Sequence, residues 1–406
     1  MRIWFIAALL AAAGCQGDDQ TARGEPPLRF WHAFAPHETE ALNRVLDRAQ
    51  QGEVETAMLS FARGQTILGQ VLRAGTDCPD LARIDATWLP GLAELLSPVP
   101  EEVWRAREWL PEAAELTSYR GARRALPQAL DGLALIHKKD AVTGVAWPPE
   151  TLGELEAAAH TLTVEGRFGL GVRVDGYWFL PFLLAAGGRL YDPSSGALGL
   201  DDAAGREALV RFARLFATVT PPPPAPQDAA REAIGDFRRG RIAIEMDGPW
   251  AVWELSGGQI DALEVTAFPR APDGGPAALR GGQLYVVPRC ARQPVRAWRL
   301  ALALTDPVLQ GEWGRRFGTV PTTRAGLERA GRVAGEFYVA LQAARTLPRH
   351  AITAEIFDDL TPAIEAVVVG DASAEEALAG VRRGWERLLE RNKKQATGDG
   401  QQEKGP

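Results

Sequence analysis

Three stretches of this 406-residue sequence set large aromatic rings just past the end of a predicted strand. The most compact is residues 237–250, FRRGRIAIEMDGPW. Gly240 suits the left-handed conformation that ends a helix, and Ile242 and Ile244 are β-branched and fit a strand. Gly248-Pro249 then stops the strand directly before Trp250. The same device recurs in VRVDGYW, where Tyr177 and Trp178 follow Asp175, and more loosely after Ile84, where Asp85 and Trp88 follow a strand. In open α/β sheets ligands bind beyond the carboxyl ends of the strands. A ring there can bury apolar ligand surface, and a carboxylate can accept strong hydrogen bonds. A core role is the alternative for each ring, but repetition of the device favours a shared cleft.

The elements that must hold these residues follow from the hydrophobic pattern. Residues 28–31 read as a first strand ending at Trp31 and His32, 38–50 as an amphipathic helix, 54–59 as a second strand, 66–73 as a helix and 81–84 as a third strand. Residues 87–96 return as a helix. Repeated β-α units predict a parallel sheet with helices on its faces. Residues 126–131 and 133–137 read as a strand pair around Gly132. A strand at 168–172, a helix at 179–186 and a helix at 202–217 follow, with Pro221 to Pro224 as a stiff spacer. Short strands at 263–268 and 281–287, the latter entered through Gly281 and Gly282, precede helices that run to Glu390. The polar, aperiodic tail 391–406 is expected to be disordered.

Composition excludes several function classes. The chain is 46% hydrophobic and 24% charged with a net charge of -7, so it is globular, long enough for two domains, and not built for nucleic acid. Twelve tryptophans are many, because each buried indole N–H needs a partner. The three cysteines, Cys15, Cys78 and Cys290, form no CxxC pair and show no metal-ligand spacing with the five histidines. No metal or cofactor is expected. Cys78 and Cys290 would pair if they met in space, but two inert buried thiols are the preferred reading.

Residues 1–14 read as an export signal: Met1-Arg2, then an apolar run from Ile3 to Ala13 that is too short for a permanent membrane span. Ala12-Ala13-Gly14-Cys15 is similar to a bacterial lipoprotein processing site, with Ala12 where leucine is usual. Cys15 would then be the lipidated first residue and 15–27 a flexible tether. Plain signal cleavage is the alternative. Either way the mature protein works outside the cytoplasm, in the periplasm or at the cell surface.

The ordered set GTDCPD, LPQALDGLALIHKKD, DGYWFLPFLLAAGG, FRRGRIAIEMDGPW, GGQLYVVP and FGTVPTTRAGL resembles the extracellular solute-binding proteins (family 1) of bacterial ABC importers, specifically the maltose/maltodextrin-binding group. The resemblance covers about residues 27–390. It implies an α/β, periplasmic-binding-protein-like (type II) fold: two lobes, a hinge and a cleft, with the chain crossing near 131–135, 276–284 and 324–333. One lobe would be 28–130 plus about 283–325, the other about 135–278 plus 334–390. A sugar has C–H faces that rings can cover and a hydroxyl edge that acids can hold.

By the resemblance Trp250 in GPW is a stacking residue, and so is Tyr177. Asp175 and Asp131 are hydroxyl-binding acids, each shorter than the usual Glu. Asp85 and Trp88 supply an acid and an aromatic, Trp178 extends the platform or packs a helix start, and Phe357 replaces a larger stacking tryptophan. Trp31 and His32 fall at a polar loop. Gly281 and Gly282 allow close backbone approach or serve a hinge. The smaller replacements imply an oligosaccharide, or a disaccharide other than maltose.

Capture rather than catalysis is expected. A monomer, anchored to the membrane by lipid, would close on sugar and dock on transmembrane permease subunits. A secreted glycoside hydrolase would use a similar cleft, and a sugar sensor without an importer would look the same in sequence.

Overall fold

The structure is a computed structural model that describes residues 26–48, 52–192, 197–225, 228–342, 344–347 and 349–402. Cys15 and the predicted signal lie outside the described residues. The strands are β1 Leu28–His32, β2 Val54–Met58, β3 Leu81–Asp85, β4 Ser118–Tyr119, β5 Ala122–Arg123, β6 Leu126–Gly132, β7 Ala134–Lys138, β8 Phe168–Gly171, β9 Ile242–Asp247, β10 Leu263–Thr266, β11 Leu279–Val286 and β12 Arg345–Thr346. They form two main sheets. The first has the order β12-β11-β3-β1-β2, with β6 also on β11; the second has the order β10-β7-β9-β8.

β1 pairs parallel with β2 and β3, whereas β11 runs antiparallel to β3 and β6. In the second sheet β8 and β9 are parallel, and β7 is antiparallel to both β9 and β10. Helices cover both sheets. Phe179, Phe182, Phe212, Ile244, Leu360 and Trp385 belong to the core of the second body, and Phe30, Phe34, Tyr285 and Trp313 to that of the first. A further apolar seam runs from Leu68 and Ile84 through Ala134, Ile136, Val320 and Phe337, joining the two.

Several expectations from sequence are corrected. The runs on either side of Gly132 do not pair with each other. β6 lies in the first sheet and β7 in the second, so Gly132 is where the chain crosses. Its φ of 155°, and the Leu279 carbonyl oxygen 2.2 Å from where a Cβ would stand, leave room only for glycine. The helix expected over 87–96 is broken into a turn at Ala86–Trp88, a short helix Leu89–Leu92 and a turn Ala93–Leu95, with Pro90 in the first turn of that helix. The final helix, Ala374–Gln402, continues through most of the tail expected to be disordered. Its body is anchored by buried Leu378, Val381 and Trp385, and extending a helix already nucleated is cheap. β12, placed by sequence within the second lobe, pairs with the start of β11 in the first sheet.

Cys78 and Cys290 are joined in a disulfide, with Cα atoms 6.0 Å apart. The register explains the meeting. Ala82 on β3 faces Val286 on the antiparallel β11, and each cysteine lies four residues further out on the same side. Among the described residues no helix is long and apolar enough to cross a membrane.

Candidate binding cleft

β3 ends at Asp85, β6 carries Asp131 one residue before its end, and β11 lies between them. Asp85 faces Gln283 across one ladder, and Asp131 faces Gly281 across the other. The Gln283 Nε2 amide donates to Asp131 Oδ2 at 3.0 Å and to Asp85 Oδ2 at 3.1 Å. Asp85 also accepts from the Thr87 backbone N–H at 2.8 Å and from the Thr87 hydroxyl, capping the turn that follows. Burial pushes both carboxyls up. Asp131 reaches about 7, helped by the Asp85 charge, while the Gln283 hydrogen bond and nearby Arg83 work in the other direction. Gly281 lets the pair form, since a Cβ there would stand 2.7 Å from Asp131 Oδ1. Gly282 instead packs against the Ala129 backbone beneath.

The second body faces these acids with rings. Asp175 accepts from the Tyr177 backbone N–H at 2.7 Å and caps the helix Gly176–Ala185. That cap sets Tyr177 and Trp178 at the helix start. Burial raises the Tyr177 hydroxyl pKa well above its ordinary value, with Asp131, Asp85, Asp175 and Asp247 adding to it. Tyr177 therefore stands among carboxylates from both sheets. Its ring meets Trp178 edge-on at 5.8 Å and Phe357 at 6.3 Å. Trp250 meets Trp178 edge-on at 6.3 Å and is 39% exposed.

Trp178 itself is a buried support. Its indole donates to the Met246 carbonyl at 2.7 Å, and the Arg173 guanidinium covers its face at 4.3 Å. Arg173 also pairs with buried Asp247 at 2.6 Å. The structure thus brings together Asp85, Asp131, Gly281, Asp175, Tyr177, Trp178, Trp250 and Phe357.

It does not bring Trp31, His32 or Trp88 to the surface of the cleft. Trp31 is half-buried against the apolar seam that includes Leu68. His32 is buried between Phe30 and Phe34, with ring centroids 5.3 Å away on each side. Its Nδ1 accepts the Phe34 N–H, and burial together with the Arg83 charge lowers its pKa to about 4, so the ring is neutral. The polar loop expected here is replaced by an aromatic stack. Trp88 is only 5% exposed, with its ring over Gly64.

Sequence reasoning missed Gln283, Arg83, Arg173 and Asp247. The G-G-Q start of the β11 motif was the one visible signal for Gln283. Arg83 donates to Gln128 Oε1 at 2.9 Å and lies over the Phe34 ring, a partnership that no local pattern announces. Among the described residues no group of three or more His, Cys, Asp and Glu side chains is arranged to hold a metal ion.

The two bodies touch beside the cleft. Trp253, just after Trp250, stacks on His37 at 5.6 Å and meets Phe317 edge-on at 5.4 Å, both from the first body. Ala351, in the segment leading to the helix Ile356–Val368, approaches Gly91 and Gln65.

Two α/β bodies with acids and rings at facing strand ends match a known architecture. Residues 37–310 match the family described as bacterial extracellular solute-binding protein. The chain belongs to that family. It has the two-lobed type II fold of periplasmic binding proteins, and like the family it is a non-catalytic binding protein that acts outside the cytoplasm. A maltotriose-binding protein of Pyrococcus abyssi is 25% identical over 260 residues, which covers 62% of this chain and 55% of that protein. The chain thus aligns with about half the length of that curated relative. Two solved structures share the fold. The GacH receptor of Streptomyces glaucescens, solved unliganded and with acarbose, has a TM-score of 0.79 at 24% identity, covering 90% of this chain and 98% of that one. The maltotriose-binding protein of Thermus thermophilus, bound with maltotriose, has a TM-score of 0.75 at 21% identity, covering 89% and 100%.

Proposed function

We propose that this chain is the carbohydrate-binding subunit of an ABC importer, taking an oligosaccharide or a disaccharide. The observation that carries this reading is the pair Asp85 and Asp131, bridged by Gln283, facing Tyr177 with Trp250 at the rim. Hydroxyls of a sugar can donate to the two carboxylates, and the Trp250 face can cover a C–H face. The acarbose and maltotriose complexes of structural relatives support a carbohydrate in the same kind of cleft.

In this reading the lobes are 28–130 with about 283–325 and about 135–278 with 334–390, apart from β12. The strand ends of the first lobe bind the hydroxyl edge, and the second lobe closes its rings over the ligand about Gly132. Closure is a population shift, favoured because the ligand touches both lobes only in the closed form. Lipidation at Cys15 keeps a monomeric receptor near its permease, and no cofactor takes part.

Thermal unfolding of the mature protein in the presence of maltose, maltotriose, trehalose, sucrose and cellobiose tests this. At least one sugar at a hundred times its Kd should stabilise the protein by about 2.7 kcal/mol. A flat response to every sugar would refute the carbohydrate reading. Maltotriose as the best stabiliser would refute the narrower expectation that the smaller side chains select a different sugar.

A further inference from the structure

We propose that Phe61 forms an additional sugar subsite on the lip of the first lobe, outside the central acid pair. This inference rests on the carbohydrate reading and extends it to ligand length. β1, β2 and β3 are parallel, with His32 opposite Met58 and Trp31 opposite Ala82, so their carboxyl ends share one edge. Asp85 stands on that edge at the end of β3. Met58 ends β2, and Phe61 opens the helix Phe61–Ala74 just after it.

Burial at this edge is inverted. Trp88, the aromatic residue nearest the acid in sequence, is covered. A Cβ at Gly64 would stand 2.4 Å from its ring, so the indole fills space that only glycine leaves open. Phe61 lies on the outer side of Trp88, with ring centroids 5.5 Å apart and planes at 43°. Phe61 is 59% exposed. Among the described residues the only exposed large aromatic side chains are Phe61 and Trp250, one on each lip.

The place of Phe61 relative to the cleft is fixed by its own helix. One turn further on, Gln65 stands beside Gly91 and the Ala351 carbonyl of the second body; a Cβ on Gly91 would be 3.1 Å from the Gln65 amide nitrogen and 3.0 Å from that oxygen. The helix therefore lines the wall where the bodies meet, and Phe61 stands at its outer end. An exposed ring resting on Trp88, three residues past Asp85, is suited to the C–H face of a further sugar unit. The occupant is the end of an oligosaccharide whose centre is held by Asp85 and Asp131.

The test is calorimetric titration of the mature protein, its Phe61→Ala variant and its Phe61→Trp variant. Each is titrated with matched disaccharides and tetrasaccharides of α-1,4- and β-1,4-linked glucose. For the series that binds, Phe61→Ala should weaken the tetrasaccharide about tenfold and leave the disaccharide within about twofold, and Phe61→Trp should restore the tetrasaccharide. Equal loss for both lengths, or no loss for either, overturns the subsite while the carbohydrate reading stands. Unchanged sugar affinity with lost stimulation of the permease ATPase assigns the patch to the transmembrane partner and also overturns it. Failure of the unaltered protein to bind any of the four sugars overturns the subsite and counts against the carbohydrate reading itself.

Discussion

The lip supplied by the first sheet is polar at its centre, whereas the lip supplied by the second is aromatic. On the first, Asp85 and Asp131 converge from two strands onto one amide of Gln283. On the second, Tyr177, Trp178, Trp250 and Phe357 stand edge to face along two helix starts and one turn. The polar lip is held under electrostatic tension, because burial raises both carboxyls and the Asp85 charge raises Asp131 further. The aromatic lip is relaxed: the Trp178 indole has a carbonyl partner, and the Arg173 charge is matched by Asp247. The difference teaches that the groups able to hold hydroxyls lie on the first lip and the broad apolar faces on the second.

The largest expected effect falls on the polar lip. Asp131→Asn should weaken sugar binding by about 2 kcal/mol, because a hydrogen bond to a charged acceptor is replaced by a weaker one. The same change should raise the stability of the ligand-free protein at pH 8, where it removes a buried repulsion. Urea unfolding and calorimetry on the one variant read both. A loss of binding together with a loss of stability would mean that Asp131 is structural.

On the aromatic lip, Trp250→Ala should cost somewhat less, about 1.5 kcal/mol of affinity, with little change in melting temperature because the ring is partly exposed. A large fall in melting temperature would mark Trp250 as core.

pH separates the lips further. Asp131 rises from 3.8 to about 7 and Glu245, buried on β9 with no hydrogen-bond partner among the described residues, from 4.5 to about 8; burial is the main cause for both. A carboxyl whose native pKa is raised holds its proton more tightly when folded. Its contribution to stability is therefore complete below the unfolded pKa and is lost as pH rises through the native one. Urea unfolding should show stability declining between about pH 4 and pH 8 on account of these groups. Glu245→Gln should flatten the part of the decline near pH 8, and an unchanged slope would contradict it. Ligand affinity should move the other way. In the proposed reading sugar hydroxyls donate to ionised Asp131, so binding should strengthen from pH 6 to pH 8 with release of a proton, which titrations in buffers of different ionisation heat would detect.

The smallest effect concerns the contact that joins the lips. Trp253→Ala removes the stack on His37 and the edge-on contact with Phe317 and should favour the open form, lowering affinity a few-fold, about 1 kcal/mol. Small-angle scattering of the ligand-free variant should show a larger radius of gyration than the unaltered protein. Identical profiles would remove Trp253 from closure.

Much of the fold was legible because strand ends are local. Glycine and proline placed Trp250, and the strand end before Asp175 placed Tyr177, within a few residues of sequence. The acids were legible one at a time, but their pairing was not. Gln283 reaches Asp85 across 198 residues and Asp131 across 152, and no local pattern records such a meeting. Trp88 and His32 were misplaced for a related reason. Position at a strand end does not say whether a ring turns outward, and here Gly64 and the flanking phenylalanines turn them in. Phe61 was overlooked because the helix starts five residues earlier than its apolar period suggests. The disulfide was invisible until β3 and β11 were known to be neighbours.

The central claim is that the polar and aromatic lips grip the same sugar. A double-mutant cycle by calorimetry, with Asp131→Asn and Trp250→Ala alone and together against the best-binding oligosaccharide, tests it most directly. The account predicts that each variant weakens binding and that the combined loss departs from the sum by more than about 0.5 kcal/mol, because closure couples the two contacts. Full affinity in either single variant, or strict additivity, would contradict it.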